Sequence, residues 1–277
     1  MSDFADHAGC RLAYDRRGAG PAVLFIQGVG VHGDGWLPQV EALADRFTCL
    51  SFDNRGIGRS RPAGGPVTVE GMAADARAVL DAAGVGAAHV VGHSLGGLAA
   101  VFLALAARDR VRSLALLCTF ADGRVAAPLT ARMVWLGMRS RVGTRAMRRR
   151  GFAQLIYPPG EADGADFDRL AALFGHDLGD TPDVAGPQLR AMRGASALPR
   201  LRELAGLPTL VAAAAHDPIA PPRVARPLAD GIPGARYVEF PAASHGLPIT
   251  HAAETNALLR EHLASAEAAK APVAPAT

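Results

Sequence analysis

The chain has 277 residues, 49% of them hydrophobic, and a formal net charge of +3; this is enough for one large α/β domain with an insertion and excludes a disordered or fibrous chain. Apart from Lys270 the basic residues are arginines, and their densest run, Arg139 to Arg150 (RSRVGTRAMRRR), carries no groove-reading motif, so nucleic acid is not an expected partner. Cys10, Cys49 and Cys118 are odd in number and far apart, which argues against a disulfide framework or a thiolate metal site and suits a reducing compartment.

In chain order the elements alternate between strand and helix. The opening MSDFADHAGCRLAY shows neither the basic start nor the apolar core of a secretory signal, so the cytoplasm is the expected location. RLAYDRR predicts a strand near a sheet edge, and AVLFIQG a fully apolar strand ending in glycine. PQVEALADRF predicts a helix with Val40, Leu43 and Phe47 on one face; TCLSFDNRG is the next strand. TVEGMAADARAVLDAAG predicts a helix with Thr68 as N-cap and Gly84 past its end. AHVVGHS is a strand, Leu95–Ala107 a helix too short to span a bilayer, and VRSLALLCTF a strand; no membrane partner is expected. After residue 200, PTLVAAAAHD and ARYVEFPAASHG predict strands, PRVARPLADGI and AAETNALLREHLASAE helices. No internal repeat of roughly 20 to 50 residues is present.

This rhythm predicts a mostly parallel, doubly wound α/β sheet. Residues 1–122 and 201–266 form the expected core, and the Ala- and Pro-rich 267–277 (EAAKAPVAPAT) a disordered tail. Residues 123–200 break the alternation and predict a helical cap over the ligand side of the sheet, with Trp135, Met138, Phe152, Tyr157 and Phe174 as candidate apolar wall residues.

One turn carries chemistry. Gly92-His93-Ser94-Leu95-Gly96 reads G-x-S-x-G between a strand and a helix. A reversal this sharp brings residues 92 and 96 together, where side chains would clash, and leaves Ser94 at the apex with its hydroxyl presented above the sheet. The helix behind it offers N–H groups to a nearby oxyanion.

On this motif and its context, almost the whole chain resembles the α/β-hydrolase fold superfamily. The resemblance implies a serine nucleophile followed in the chain by an acid and a histidine. The acid is expected at Asp217, directly after a buried strand and before Pro218, with Asp122, at the end of an earlier strand, as the alternative. The base is expected at His245, on the loop before the closing helix, in preference to His251. The oxyanion donors are expected at the backbone N–H of Leu95 and of Val29, in the loop Gln27-Gly28-Val29; the family usually has His where this chain has Gln27, and a register through His32-Gly33 fits the spacing to Trp36 less well. FDNRGIGRS, with Asp53, resembles the family's loop architecture rather than its chemistry. No metal and no cofactor are expected.

The resemblance thus implies a hydrolase that cleaves a carboxylic ester or lactone of a small-molecule acyl substrate through an acyl-enzyme on Ser94. Two alternatives remain open at this point. One is non-hydrolytic chemistry on the same triad: cofactor-free dioxygenation, perhydrolysis, carbon–carbon bond cleavage or acyl transfer. The other is a catalytically silent small-ligand receptor. Neither substrate identity nor oligomeric state is legible.

Overall fold

The computed structural model describes residues 2–128 and 130–269. Its eight strands are β1 (Asp3–His7), β2 (Cys10–Arg17), β3 (Ala22–Ile26), β4 (Thr48–Phe52), β5 (Ala88–His93), β6 (Val111–Leu117), β7 (Thr209–Ala214) and β8 (Arg236–Phe240). They form one sheet in the order β1-β2-β4-β3-β5-β6-β7-β8. β1 and β2 pair antiparallel, as do β2 and β4; every other pair is parallel. The mostly parallel sheet agrees with the sequence reading.

The central strands are apolar at successive positions because both faces are covered. Leu24, Ile26, Val90, Leu114 and Leu116 face α2 (Val69–Ala82), α3 (Leu95–Ala106) and α8 (Pro222–Gly231). Val23, Phe25, Val91, Ala115 and Leu117 face α1 (Leu37–Leu43) and α10 (Ala252–Ala268), where Val40, Leu43 and Phe47 are all buried. Local signals set the helix ends: the Thr68 hydroxyl accepts the Gly71 N–H at the start of α2, and Gly84 follows its end with φ +66°.

Two parts of the reading change. β1 was not expected. It turns into β2 through Ala8 and Gly9, both at positive φ, and an alanine there is no turn signal in sequence. The closing helix runs two residues into the expected tail, to Ala268, because Glu267 makes a two-pronged bond to Arg112 at 2.9 and 3.0 Å. The rest of that tail, from 270 on, lies outside the described residues. No helix among the described residues is long and apolar enough to cross a membrane.

Between β6 and β7 the chain makes α4 (Ala131–Arg139), α5 (Arg145–Ile156), α6 (Phe167–Phe174) and α7 (Ala185–Gly194). It leaves and rejoins the core at one place: Asp122 bridges to Ser196, and the Ala197 N–H donates to Ala121 O at 2.7 Å. The arginine run lies in and before α5 and is neutralised largely within the insertion. Arg149 and Arg145 pair with Asp177, Arg145 also with Asp180 at 2.8 Å, and Arg150 with Asp163 at 2.9 Å.

His89 and His262 are buried at the end of the sheet where the parallel strands begin. His89 Nδ1 meets the Ser113 hydroxyl at 2.8 Å, while its Nε2 lies 3.0 Å from a Glu267 oxygen without the alignment of a hydrogen bond. Loss of water holds both imidazoles down at about 4. The unfolded chain binds these protons near pH 6.5, so between the two values it holds more protons than the folded chain, and stability falls as the pH drops. At pH 5 the expected loss from His262 is about 2 kcal/mol, with a further loss in the same direction from His89. Thermal unfolding at pH 7 and pH 5 checks this; equal melting temperatures contradict it.

Candidate active site

Four loops converge at the C-terminal ends of the parallel strands, where an open α/β sheet presents its ligand side. They follow β3, β5, β7 and β8.

The loop after β5 is the tight reversal. Ser94 sits at φ 54° and ψ −124°, a strained conformation for a residue with a Cβ. A Cβ at Gly92 would lie 2.5 Å from Gly96 O, and one at Gly96 only 2.1 Å from Ile26 O. The bend is pinned by the Ser94 N–H on Leu117 O at 3.0 Å and by the Thr119 hydroxyl on Ser94 O at 2.6 Å. The Ser94 side chain does not cap the helix behind it, and its hydroxyl makes no hydrogen bond among the described residues.

Asp217, after β7, is 3% exposed. One carboxylate oxygen accepts the N–H groups of Ile219 and Ala220 at 2.7 and 2.8 Å; the other meets His245 Nδ1 at 2.7 Å. A carboxylate only accepts, so Nδ1 carries a proton, and in the neutral imidazole Nε2 is the nitrogen with the lone pair. The His245 loop is held by its own carbonyl, which accepts from His93 Nε2 at 2.9 Å, and by the Gly246 N–H on Ile156 O at 2.9 Å. The His93 ring also packs on His245, with centroids 4.8 Å apart, and edge-on to Trp36. Dehydration first, and the neighbouring His245 second, hold His93 down at about 3, so it is a neutral donor to that carbonyl. Asp217 and His245 are thus brought together, whereas the bond from Ser94 to His245 is not made in this structure.

Asp122 is engaged elsewhere. Its carboxylate accepts the Arg124 N–H at 2.9 Å and forms an ion pair with the Arg124 guanidinium at 2.6 Å, and that pair lowers its pKa. His251 stands where α9 (Leu247–Thr250) gives way to α10, its Nδ1 on the Thr250 hydroxyl at 3.0 Å.

The loop after β3 passes beside Ser94: a Cβ on Gly28 would meet Ser94 Cβ at 3.1 Å and Oγ at 3.6 Å. Gln27 stays a brace in spite of the change from His. Its Oε1 accepts the Gly28 N–H at 3.1 Å, and its carbonyl accepts Asn54 Nδ2 at 2.9 Å. The N–H groups of Val29 and Leu95 have no protein acceptor among the described residues. Gly33 lies further on, its N–H on buried Asp53 at 2.8 Å, and Asp53 also accepts the Arg59 N–H at 3.0 Å; both bonds are architectural.

The insertion closes over these loops. Leu136, Leu155, Ile156, Leu173 and Phe174 form one apolar cluster with Val31, and Phe152, Tyr157, Ile219 and Ile249 pack against it. Trp135 and Met138 are corrections to the expected wall. They are 46% and 54% exposed, because Met133 and Leu136 take the inner face of α4.

Among the described residues one group has the geometry of possible metal ligands, His93, Cys118 and His245, whose ligand atoms lie within 4.8 Å of one another. It suits a metal poorly. Burial, and then the Asp217 carboxylate, push the Cys118 thiol well above its usual range, whereas a metal takes the thiolate. Sequence reasoning missed the supporting parts played by His93 and Thr119. Only His93 had a local signal, as the variable residue of the G-x-S-x-G turn.

A doubly wound sheet with a strained serine after β5 and an Asp–His pair after β7 and β8 defines a known class. The chain matches the family model of the alpha/beta hydrolase fold over residues 21–178 and belongs to that family. It is 34% identical over 250 residues to RutD of Azorhizobium caulinodans, provisionally named a carbamate hydrolase, covering 87% of this chain and 91% of that protein. It is also 34% identical over 244 residues to BpoC of Mycobacterium tuberculosis, provisionally named a non-heme bromoperoxidase, covering 84% and 90%. Among solved structures, the enol-lactonase from Burkholderia xenovorans LB400 superposes with a TM-score of 0.78 at 27% identity, over 95% of this chain and all of that one.

Proposed function

We propose that this protein hydrolyses a small carboxylic ester or lactone through an acyl-enzyme on Ser94. The buried Asp217–His245 hydrogen bond carries the reading, since in the neutral imidazole it leaves Nε2 as the base, on a loop at the same end of the sheet as Ser94. His245 takes the Ser94 proton as Oγ attacks the acyl carbon. The N–H groups of Val29 and Leu95 receive the oxyanion, and His245 returns the proton to the departing alkoxide. Water deprotonated by His245 then releases the acid and restores Ser94. The insertion acts as a cap whose apolar inner face, with Phe152, Tyr157 and Phe174, excludes water from the acyl group.

The enol-lactonase neighbour supports an ester or lactone carbonyl; the RutD relative makes carbamates the comparison series for the same chemistry. The test is a panel of p-nitrophenyl esters, lactones and carbamates, together with labelling by a fluorophosphonate and mapping of the modified peptide. Hydrolysis of an ester or lactone with the label on Ser94 is expected. A label on Ser94 without hydrolysis of any ester or lactone overturns this reading in favour of other chemistry on the same residues, and no label at all in favour of a silent receptor.

The two candidate acids separate by mutation. Asp217→Asn is expected to lower kcat roughly 10,000-fold by upsetting the His245 tautomer. Asp122→Asn is expected to leave kcat within about threefold, since Asn still caps the turn and a pair with exposed Arg124 is worth little. Steady-state kinetics on the best ester checks both.

A further inference from the structure

We propose that two residues of the insertion, Gln188 and His176, hold the loop after β3 in the shape that presents the Val29 N–H. The insertion would then set the oxyanion site as well as cover it; this rests on the hydrolase reading above.

The loop is built from peptides that would otherwise be free to turn. Gly28 and Gly30 flank Val29, and Gly30 takes φ +76°, where a glycine-rich segment has many alternatives of similar energy. Core residues hold its two ends, through Asn54 on Gln27 O and through the Gly33 N–H on Asp53. The middle is held from the insertion. The Gly30 N–H donates to Gln188 Oε1 at 2.8 Å, His176 Nε2 lies 3.0 Å from Gly30 O, and the His32 N–H donates to Phe174 O at 3.2 Å. These partners come from α7, from the turn after α6 and from the end of α6. The approach needs Gly175, at φ +74°, because a Cβ there would lie 2.1 Å from the His32 ring. With the Gly28 N–H taken by Gln27 and both polar groups of Gly30 taken by the insertion, Val29 has the one N–H in residues 28–30 left without a protein acceptor among the described residues.

Gln188 is the stronger member of the pair. It is fully buried, and only its oxygen can accept an N–H, so the amide orientation is fixed by Gly30. Its Nε2 is left buried without a protein partner among the described residues. A leucine of similar size would avoid that desolvation cost, so packing alone does not account for an amide here. Gln188 is a positioning residue: it acts on the oxyanion through the Val29–Gly30 peptide and not by contact.

The test compares Gln188→Met and Gln188→Glu in the full chain. Each is measured with a p-nitrophenyl ester for kcat and KM, and by hydrogen exchange at the Gly30 amide. Gln188→Met keeps the volume and removes the acceptor. Its kcat is expected to fall roughly 10- to 100-fold with KM little changed, as for a misplaced catalytic group, and the Gly30 amide to exchange about tenfold faster. Gln188→Glu keeps an acceptor oxygen, and with burial favouring the neutral acid it is expected to retain both properties to within about threefold of wild type measured at the same mildly acidic pH. Wild-type kcat in Gln188→Met overturns the proposal, and so does unchanged exchange at Gly30. If Gln188→Met does not fold, His176→Phe, which removes the partner of Gly30 O, is read by the same two measurements. If the wild-type chain hydrolyses no ester, the hydrolase reading fails by itself, and the exchange result alone decides whether the insertion holds the loop.

Discussion

Replacing Ser94 with alanine is expected to lower kcat for a p-nitrophenyl ester by roughly 10,000- to 1,000,000-fold, the usual loss on removing a triad nucleophile, and to abolish fluorophosphonate labelling. Replacement with glycine is expected to be as inactive but more informative. Ser94 has a Cβ at φ 54° and ψ −124°. Relief of that strain is worth about 1–3 kcal/mol, set against the extra freedom glycine gives the unfolded chain. Ser94→Gly should therefore melt at or above the wild-type temperature while doing no chemistry. A Ser94→Gly protein that melts well below wild type would refute a strained bend held for function, and a Ser94→Ala enzyme at full rate would remove the nucleophile.

The second large effect is on folding. A Cβ at Gly96 would lie 2.1 Å from Ile26 O and 2.6 Å from Gln27 O. Both obstacles are main chain, one in a central strand and one in the loop beside Ser94, so neither can swing aside as a side-chain tip would. Gly96→Ala is expected to cost on the order of 3 kcal/mol or more, enough to yield aggregated or poorly folded protein. The same change at Gly84, where nothing among the described residues lies within 4 Å, meets only the penalty of its positive φ. Urea unfolding of the two variants beside wild type measures the contrast; equal midpoints would contradict the steric account.

What was legible in the sequence was what short-range physics decides. The glycines around Ser94 are dictated by contacts within a few residues, and the solid apolar runs of β3, β5 and β7 by burial on both faces. Asp217 and His245 were placed by the family resemblance and not by their own surroundings, since Asp122 also follows a strand; their meeting depends on β7 and β8 lying side by side. The unread parts depend on partners distant in the chain. Nothing near Gln188 announces that it meets Gly30, 158 residues away. Trp135 and Met138 looked like wall residues by type, but the face that α4 buries is chosen by what α5 and α6 offer it. β1 went unread because its turn uses Ala8 where a glycine or asparagine would have been a signal.

The shared doorway of the insertion, closed by the Asp122–Ser196 bridge and the Ala197–Ala121 bond, has an evolutionary consequence. Since about seventy residues depart from and return to a single spot, their length and sequence can drift without disturbing strand order beneath them. New substrate preferences can therefore arise by exchanging that module wholesale. A transplanted module lacking an acceptor at the position of Gln188 would confer recognition without speed, so grafts should be screened for turnover and not for binding alone.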